Sequence, residues 1–286
     1  MSRRQRPPKP PAIRPRLFAS SLWLLIPIVL LYGGCALVPF GIILRTSLAG
    51  GGTHFAAVLD SPLLRHAAIN TLVISLITTG VTLVLGTILA AALWRAPPRI
   101  RPVLLAFILL PFWTAVLIKN FAWAALLQDN GLVNTGLLWL GLTDRPMTLL
   151  HNRTAVIIGM VHYLLPYAVF PIYAAMDAID PQLERAARSL GAPARRTLWS
   201  VILPLTLPGL TSAALLVFVV SIGFFITPVI LGAPSDMMIA NLVDYYIHEL
   251  VDFGAAAALA VLVVAAIVPL VILQQSLPKA GQHGAT

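Results

Sequence analysis

Few residues in this sequence carry side chains that do chemistry, and their spacing excludes most of it. The six histidines (54, 66, 151, 162, 248 and 283) form no HExxH or other paired arrangement, so they offer no metal site. Neither a GxSxG nucleophile elbow nor a GxxxxGKS/T phosphate loop occurs, which leaves no catalytic constellation and no site for ATP chemistry in the chain itself. The single cysteine, Cys35, sits in an apolar run, where it reads as a small packing residue. What remains is a sparse set of polar groups inside long apolar stretches: Lys119 beside Asn120, His162, and the tyrosines at 163, 167 and 173.

The elements that hold these groups are set by composition. Of the 286 residues, 59% are hydrophobic and only 10% charged, with a mean hydropathy of +0.90. A soluble chain carries about 25% charged residues, so the solvent implied here is lipid. The net charge of +9 does not point to nucleic acid, because the basic residues lie mostly between apolar segments, where lipid headgroups and topology explain them.

Six segments approach the roughly 20 apolar residues needed to cross a bilayer as helix: Leu22–Leu44, Thr71–Leu93, Val103–Leu127 with a polar interruption at Lys119-Asn120, Ala155–Ala175, Leu207–Ile226 and Ala255–Leu273. The first follows a basic, proline-rich start. It outruns a signal-peptide core and ends without a small-residue cleavage site, so it reads as a retained helix. The expectation is an all-α membrane protein with six transmembrane helices. Its divisions are a tail over 1–20, a first helix over 21–45, a membrane domain over 66–275 with a polar loop at 177–206, and a second tail over 276–286.

Lysine and arginine asymmetry orients these spans. With both termini in the cytoplasm, the N-terminal basics, Arg95, Arg99, Arg101, Arg185, Arg188, Arg195, Arg196 and Lys279 fall inside. Only Arg45, Arg65, Lys119, Arg145 and Arg153 fall outside. Asp236, Asp244, Glu249 and Asp252 crowd the outer connection between spans five and six. That connection reads either as a solvated loop or as a surface that docks a partner or draws in cations.

The inner loop carries the most specific pattern, DAIDPQLERAARSLGAPARRTLWSVILPLTLPG over 177–209. Asp180-Pro181 is a helix start, an Asx cap followed by proline at the first helical position. Leu183, Ala186, Ala187 and Leu190 share one face, and Gly191 suits the left-handed residue that ends a helix. So short a helix is unstable alone and needs a surface to pack against.

This loop resembles the EAA motif of ABC importer permeases: E-A-A, three residues, Gly, nine residues, I-x-L-P. Ala186, Ala187, Gly191, Leu203 and Pro204 match at that spacing, with Val201 in the isoleucine position. Arg185 stands where the family has Glu, and Glu184 lies one residue earlier, about 100° round the helix. The stretches 110–134, 155–180 and 224–250 resemble spermidine/putrescine permeases, and related subfamilies for opines, amino-acid-like solutes and phosphonates share much of the pattern.

The resemblance implies a type I importer permease in the bacterial inner membrane. It implies a second, different permease chain, two copies of a cytoplasmic ATPase that uses ATP and Mg, and a periplasmic binding protein. No cofactor is expected on this chain. Glu184, Arg185, Ala186, Ala187, Leu190, Gly191, Leu203 and Pro204 are then the ATPase-coupling residues. Trp113, Tyr167, Phe224, Phe225, Asp244 and Tyr245 are candidates for the substrate path, since aromatic faces and carboxylates suit amine cations; core packing is the plainer role for Tyr167, Phe224 and Phe225, and Asp244 with Tyr245 is the best outer candidate for cation contact. Lys119 is expected to snorkel to the outer interface beside Trp113 and Trp123, and His162 to be neutral and bonded to a neighbouring helix. An ATP-independent channel or carrier is the competing class, but such a protein has no use for the glycine-ended inner helix.

Overall fold

A computed structural model describes residues 16–276, so most of the two expected tails lies outside the described residues. All regular structure among the described residues is helical. In chain order the helices are α1 (Arg16–Leu48), α2 (Thr53–Leu59), α3 (Pro62–Arg95), α4 (Arg101–Trp113), α5 (Val116–Leu127), α6 (Leu132–Trp139) and α7 (Arg153–Asp177). They continue with α8 (Pro181–Ser189), α9 (Ala194–Thr197), a π turn (Leu198–Ile202), α10 (Leu203–Leu205) and α11 (Leu207–Ile222). The last are α12 (Ile226–Leu231), α13 (Ile239–His248) and α14 (Phe253–Ser276).

Four helices, α1, α3, α7 and α14, are each long and apolar enough to cross a membrane, and two bent helix pairs raise the number to as many as six. The third expected span is therefore not one helix. It breaks at Thr114-Ala115, and α4 and the helical run Val116–Trp139 lie at 97° to each other. Pro111 near the end of α4 contributes to the break, because proline cannot supply a ladder N–H. The fifth span also bends, by 65° between Arg195–Leu205 and α11. Pro204 has no N–H to give, the ladder loosens into the π turn, and Leu203 N donates five residues back to Leu198 O.

The bundle core is α7, flanked by α3 and α11. Met160, Leu164, Ala168, Val169, Ile172 and Met176 of α7 are fully buried or nearly so. Helices in lipid gain little from burying apolar area against one another, so close contact at small residues must hold them. Two glycines show it. A methyl group on Gly86 of α3 would lie 2.8 Å from the Ala168 Cβ, and one on Gly209 of α11 would lie 2.8 Å from the Pro171 carbonyl oxygen. A second cluster packs α2, α13, α14 and the start of α3 through Val58, Ala67, Leu242, Tyr246 and Leu259. The exposed side chains of α1, from Val29 to Leu44, present the broad apolar face that lipid requires.

The connections expected as outer loops fold into short helices: α6 in one, α12 and α13 in another. Asp236, expected in an acidic outer segment, is only 6% exposed. Its Oδ1 accepts from Arg153 Nε at 3.3 Å, and its Oδ2 accepts from Ala233 N at 3.3 Å. Arg153 also donates to Asn70 Oδ1 at 2.8 Å, and Asn70 Nδ2 donates to Ser235 O at 2.7 Å. This network staples the N-terminal parts of α3 and α7 to the segment before α13. Three of the four acidic residues in that segment are engaged: Asp244 lies 2.8 Å from His248 Nδ1, and Asp252 caps Ala255 N at 2.9 Å.

Candidate functional site

Two regions gather the candidate residues. The first is α8 and its exit. The Asp180 side chain accepts from Gln182 N at 2.8 Å, and Pro181 follows as the first helical residue. At the other end Ala192 N donates to Ala187 O at 3.1 Å and Gly191 N to Arg188 O at 2.9 Å, with Gly191 at φ +82°. These two bonds and the left-handed residue form a Schellman end. Both ends therefore match the expectation from residue type.

No residue of α8 is buried, and its main contacts are with α9 and the π turn. Leu190 is 88% exposed and Leu183 46%, Ala186 is exposed and Ala187 half-buried. The apolar face read from the sequence thus points away from the rest of this chain. Glu184 pairs with Arg188 at 2.6 Å, and Arg185 Nε donates to Pro181 O at 3.5 Å. Glu184 is therefore bound along its own helix, and Arg185 lies along the exposed flank. Leu203 and Pro204 sit at the bend that links α8 and α9 to α11.

The second region is a group of aromatic rings where α4, α5, α7 and the α11–α12 turn meet. Tyr163 and Tyr167 of α7, one turn apart, stack at 6.0 Å. Tyr163 meets Phe224 edge-on at 5.0 Å, and Tyr167 lies 5.6 Å from Phe112. Lys119 belongs to this group. It does not snorkel to the interface: it is 8% exposed, its Nζ donates to Pro111 O at 2.7 Å and lies 4.5 Å from the centroid of the Tyr163 ring. The reason is the α4–α5 break, which turns α5 so that a carbonyl of α4's last turn lies within the lysine's reach.

His162 is bonded to a neighbouring helix as expected: Trp123 Nε1 donates to its Nδ1 at 3.1 Å, so that nitrogen carries no proton. Asn120 Oδ1 accepts from Thr227 Oγ1 at 3.0 Å, which ties α5 to α12, while Asn120 Nδ2 finds no hydrogen-bond partner among the described residues.

Of the expected path residues, Tyr167 and Phe224 enter the ring group. Phe225 is half-buried beside it, and its carbonyl accepts from Asn241 Nδ2 at 3.0 Å. Trp113 is 85% exposed at the end of α4. Asp244 and Tyr245 lie on α13, where Tyr245 packs on the second cluster. Sequence reasoning noted Tyr163 without placing it on the path, and passed over Pro111 and Phe112. The i, i+4 spacing of Tyr163 and Tyr167 was the available signal for the first, whereas the Pro111 carbonyl carries no side-chain signal at all.

Residues 82–280 match the family described as "Binding-protein-dependent transport system inner membrane component". The chain is 36% identical, over 78% of its own length and 78% of the relative's, to the spermidine/putrescine transport system permease protein PotB of Salmonella typhimurium. It is 29% identical to the putative 2-aminoethylphosphonate transport system permease protein PhnU of Salmonella paratyphi A, covering 74% of this chain and 75% of that one. Its fold matches a chain in the crystal structure of a bacterial alginate ABC transporter bound to its periplasmic protein, with a TM-score of 0.72 at 19% identity, over 91% and 92% of the two chains.

Proposed function

The chain belongs to the inner-membrane permeases of binding-protein-dependent ABC importers, and we propose that it forms half of a translocation path for a polyamine, spermidine or putrescine, driven by a separate cytoplasmic ATPase. The observation that carries the energy-coupling half of this reading is α8. It is capped at both ends by its own residues, yet it leaves Leu183 and Leu190 exposed, as a knob built to enter a groove on another protein. Lysine and arginine asymmetry supports a cytoplasmic position for it and for both termini. ATP-driven closure of the ATPases would push the knob, and the bend at Leu203-Pro204 would pass that displacement to α11. A second permease chain completes the path, and a periplasmic binding protein delivers cargo to the outer face. This chain holds no nucleotide and catalyses nothing.

The cargo reading is supported by the similarity to PotB and by the ring group, whose faces suit organic cations. The similarity to PhnU favours a second reading, an aminophosphonate. Both cargoes carry a primary ammonium group. The test is ATP-dependent uptake of radiolabelled putrescine and spermidine by cells that express the chain with its cognate partners and lack their own amine importers. Saturable uptake, lost when the ATPase is inactivated, is expected. Uptake of 2-aminoethylphosphonate and not of either amine would replace the polyamine reading with the second one. Uptake unaffected by ATPase inactivation would contradict the importer mechanism.

A further inference from the structure

Lys119 is a buried cation without an anion: among the described residues, no carboxylate lies within ion-pair distance of its ammonium. Burial of an uncompensated charge is strongly unfavourable, so other groups must offset it. The Pro111 carbonyl, in the last turn of α4, accepts at 2.7 Å, where the helix dipole leaves partial negative charge. The face of Tyr163, also negative, lies 4.5 Å away. A carbonyl at a helix end and a tyrosine face are what a protein offers a primary alkylammonium group. Beside them Phe112 and Tyr167 open onto an apolar cleft of about 270 Å³, further lined by Leu109, Pro166 and Leu216, which suits a methylene chain.

We propose that this is a subsite for the ammonium end of the transported alkylamine, and that Lys119 is its resident occupant, which gives way when cargo arrives. The inference rests on the amine reading and extends it to named atoms. Two ammonium groups cannot share one carbonyl at hydrogen-bond distance while repelling each other across a low-dielectric gap, so occupancy is exclusive. A fixed lysine on a path for cations would repel them; here the lysine holds the site in the absence of cargo rather than blocking it in its presence. Lys119 also ties α5 to α4 across the break, so its release frees the 97° bend. Cargo binding and the geometry of the break are thereby coupled.

The test uses the full chain assembled with its partner subunits in nanodiscs, with putrescine as the probe. Lys119→Met and Lys119→Gln remove the charge at similar length. Each is expected to bind putrescine roughly tenfold more tightly than wild type, the gain for a site self-occupied about nine-tenths of the time. Adding Tyr163→Leu to either should abolish the gain, and Lys119→Arg, which keeps a cation, should not show it. Binding by Lys119→Met and Lys119→Gln no tighter than wild type overturns the proposal. So does failure of both to assemble, since that would make the lysine a structural prop. Putrescine uptake by the wild-type assembly separates the two levels: uptake without a Lys119 effect overturns this inference alone, whereas no uptake removes the amine reading and the inference with it.

Discussion

The knob at 180–192 and the ring group around Lys119 are held together in opposite ways. Every bond that shapes the knob joins residues a few places apart: Asp180 to Gln182, Glu184 to Arg188, Arg188 to Gly191, Ala187 to Ala192. The ring group draws Pro111, Lys119, Tyr163 and Phe224 from α4, α5, α7 and the α11–α12 turn, and no two of these elements are fixed by local sequence alone. The knob leaves its apolar residues exposed, while the ring group buries a charge. On the proposed reading, a surface fixed locally and left bare receives a partner, and changes in it should act on coupling and hardly on stability. A site assembled over long range is part of the fold, and changes around it should act on both.

The largest effect that would test this contrast is at Gly191. Its φ of +82° and its N–H bond to Arg188 are both incompatible with proline, which fixes φ near −65° and removes the donor. Gly191→Pro should abolish ATP-driven uptake while membrane insertion, read by fractionation, and the bundle's thermal transition stay as in wild type. Uptake at the wild-type rate would remove the distinction between the two regions. Gly191→Ala, strained by about 1–2 kcal/mol in the left-handed region, should retain part of the activity.

In the bundle the sign reverses. Gly209→Val would force a side chain against Ala175 and the Pro171 carbonyl. An overpacking cost of about 1–3 kcal/mol is expected, read as a lowered unfolding temperature with uptake lost in proportion. At the Arg153–Asp236 staple, Arg153→Ala leaves the Asp236 carboxylate nearly buried with one fewer donor. Because the Arg153 side chain is itself 44% exposed, the expected loss is about 1–2 kcal/mol, again visible in thermal unfolding. The smallest effect belongs to the knob's surface. Glu184→Gln removes an i, i+4 pair worth about 0.3–0.5 kcal/mol and should leave the unfolding temperature unchanged. Arg185→Glu, which restores the residue usual in the family, should be tolerated for assembly with the ATPase, as measured by co-purification.

The same contrast decides what could be read in advance. The knob was legible to the residue because caps and glycine ends are local: Asp180-Pro181 and Gly191 mark their own positions. The apolar segments were legible in their approximate bounds, since lipid imposes apolarity over a known length. The break at Thr114-Ala115 was not, because a kink of 97° depends on how α5 packs against α7. The fate of Lys119 depended on that break. An outward-snorkelling lysine and a buried one have the same neighbours in sequence, and the Pro111 carbonyl that receives it is a backbone atom common to every residue. Asp236 was hidden for the same reason, since its partner Arg153 is distant in sequence and only the fold joins them.

The central claim, that α8 is an inward-facing knob seated on a cytoplasmic partner, is tested most directly at its most exposed apolar residue. In a chain whose native Cys35 is replaced by serine, Leu190→Cys would be treated with a membrane-impermeant maleimide in right-side-out spheroplasts and in inverted vesicles, with and without the ATPase. Labelling confined to inverted vesicles and suppressed when the ATPase is present is the predicted result. Labelling from the outer face, or labelling from the inner face that the ATPase leaves unchanged, would contradict it.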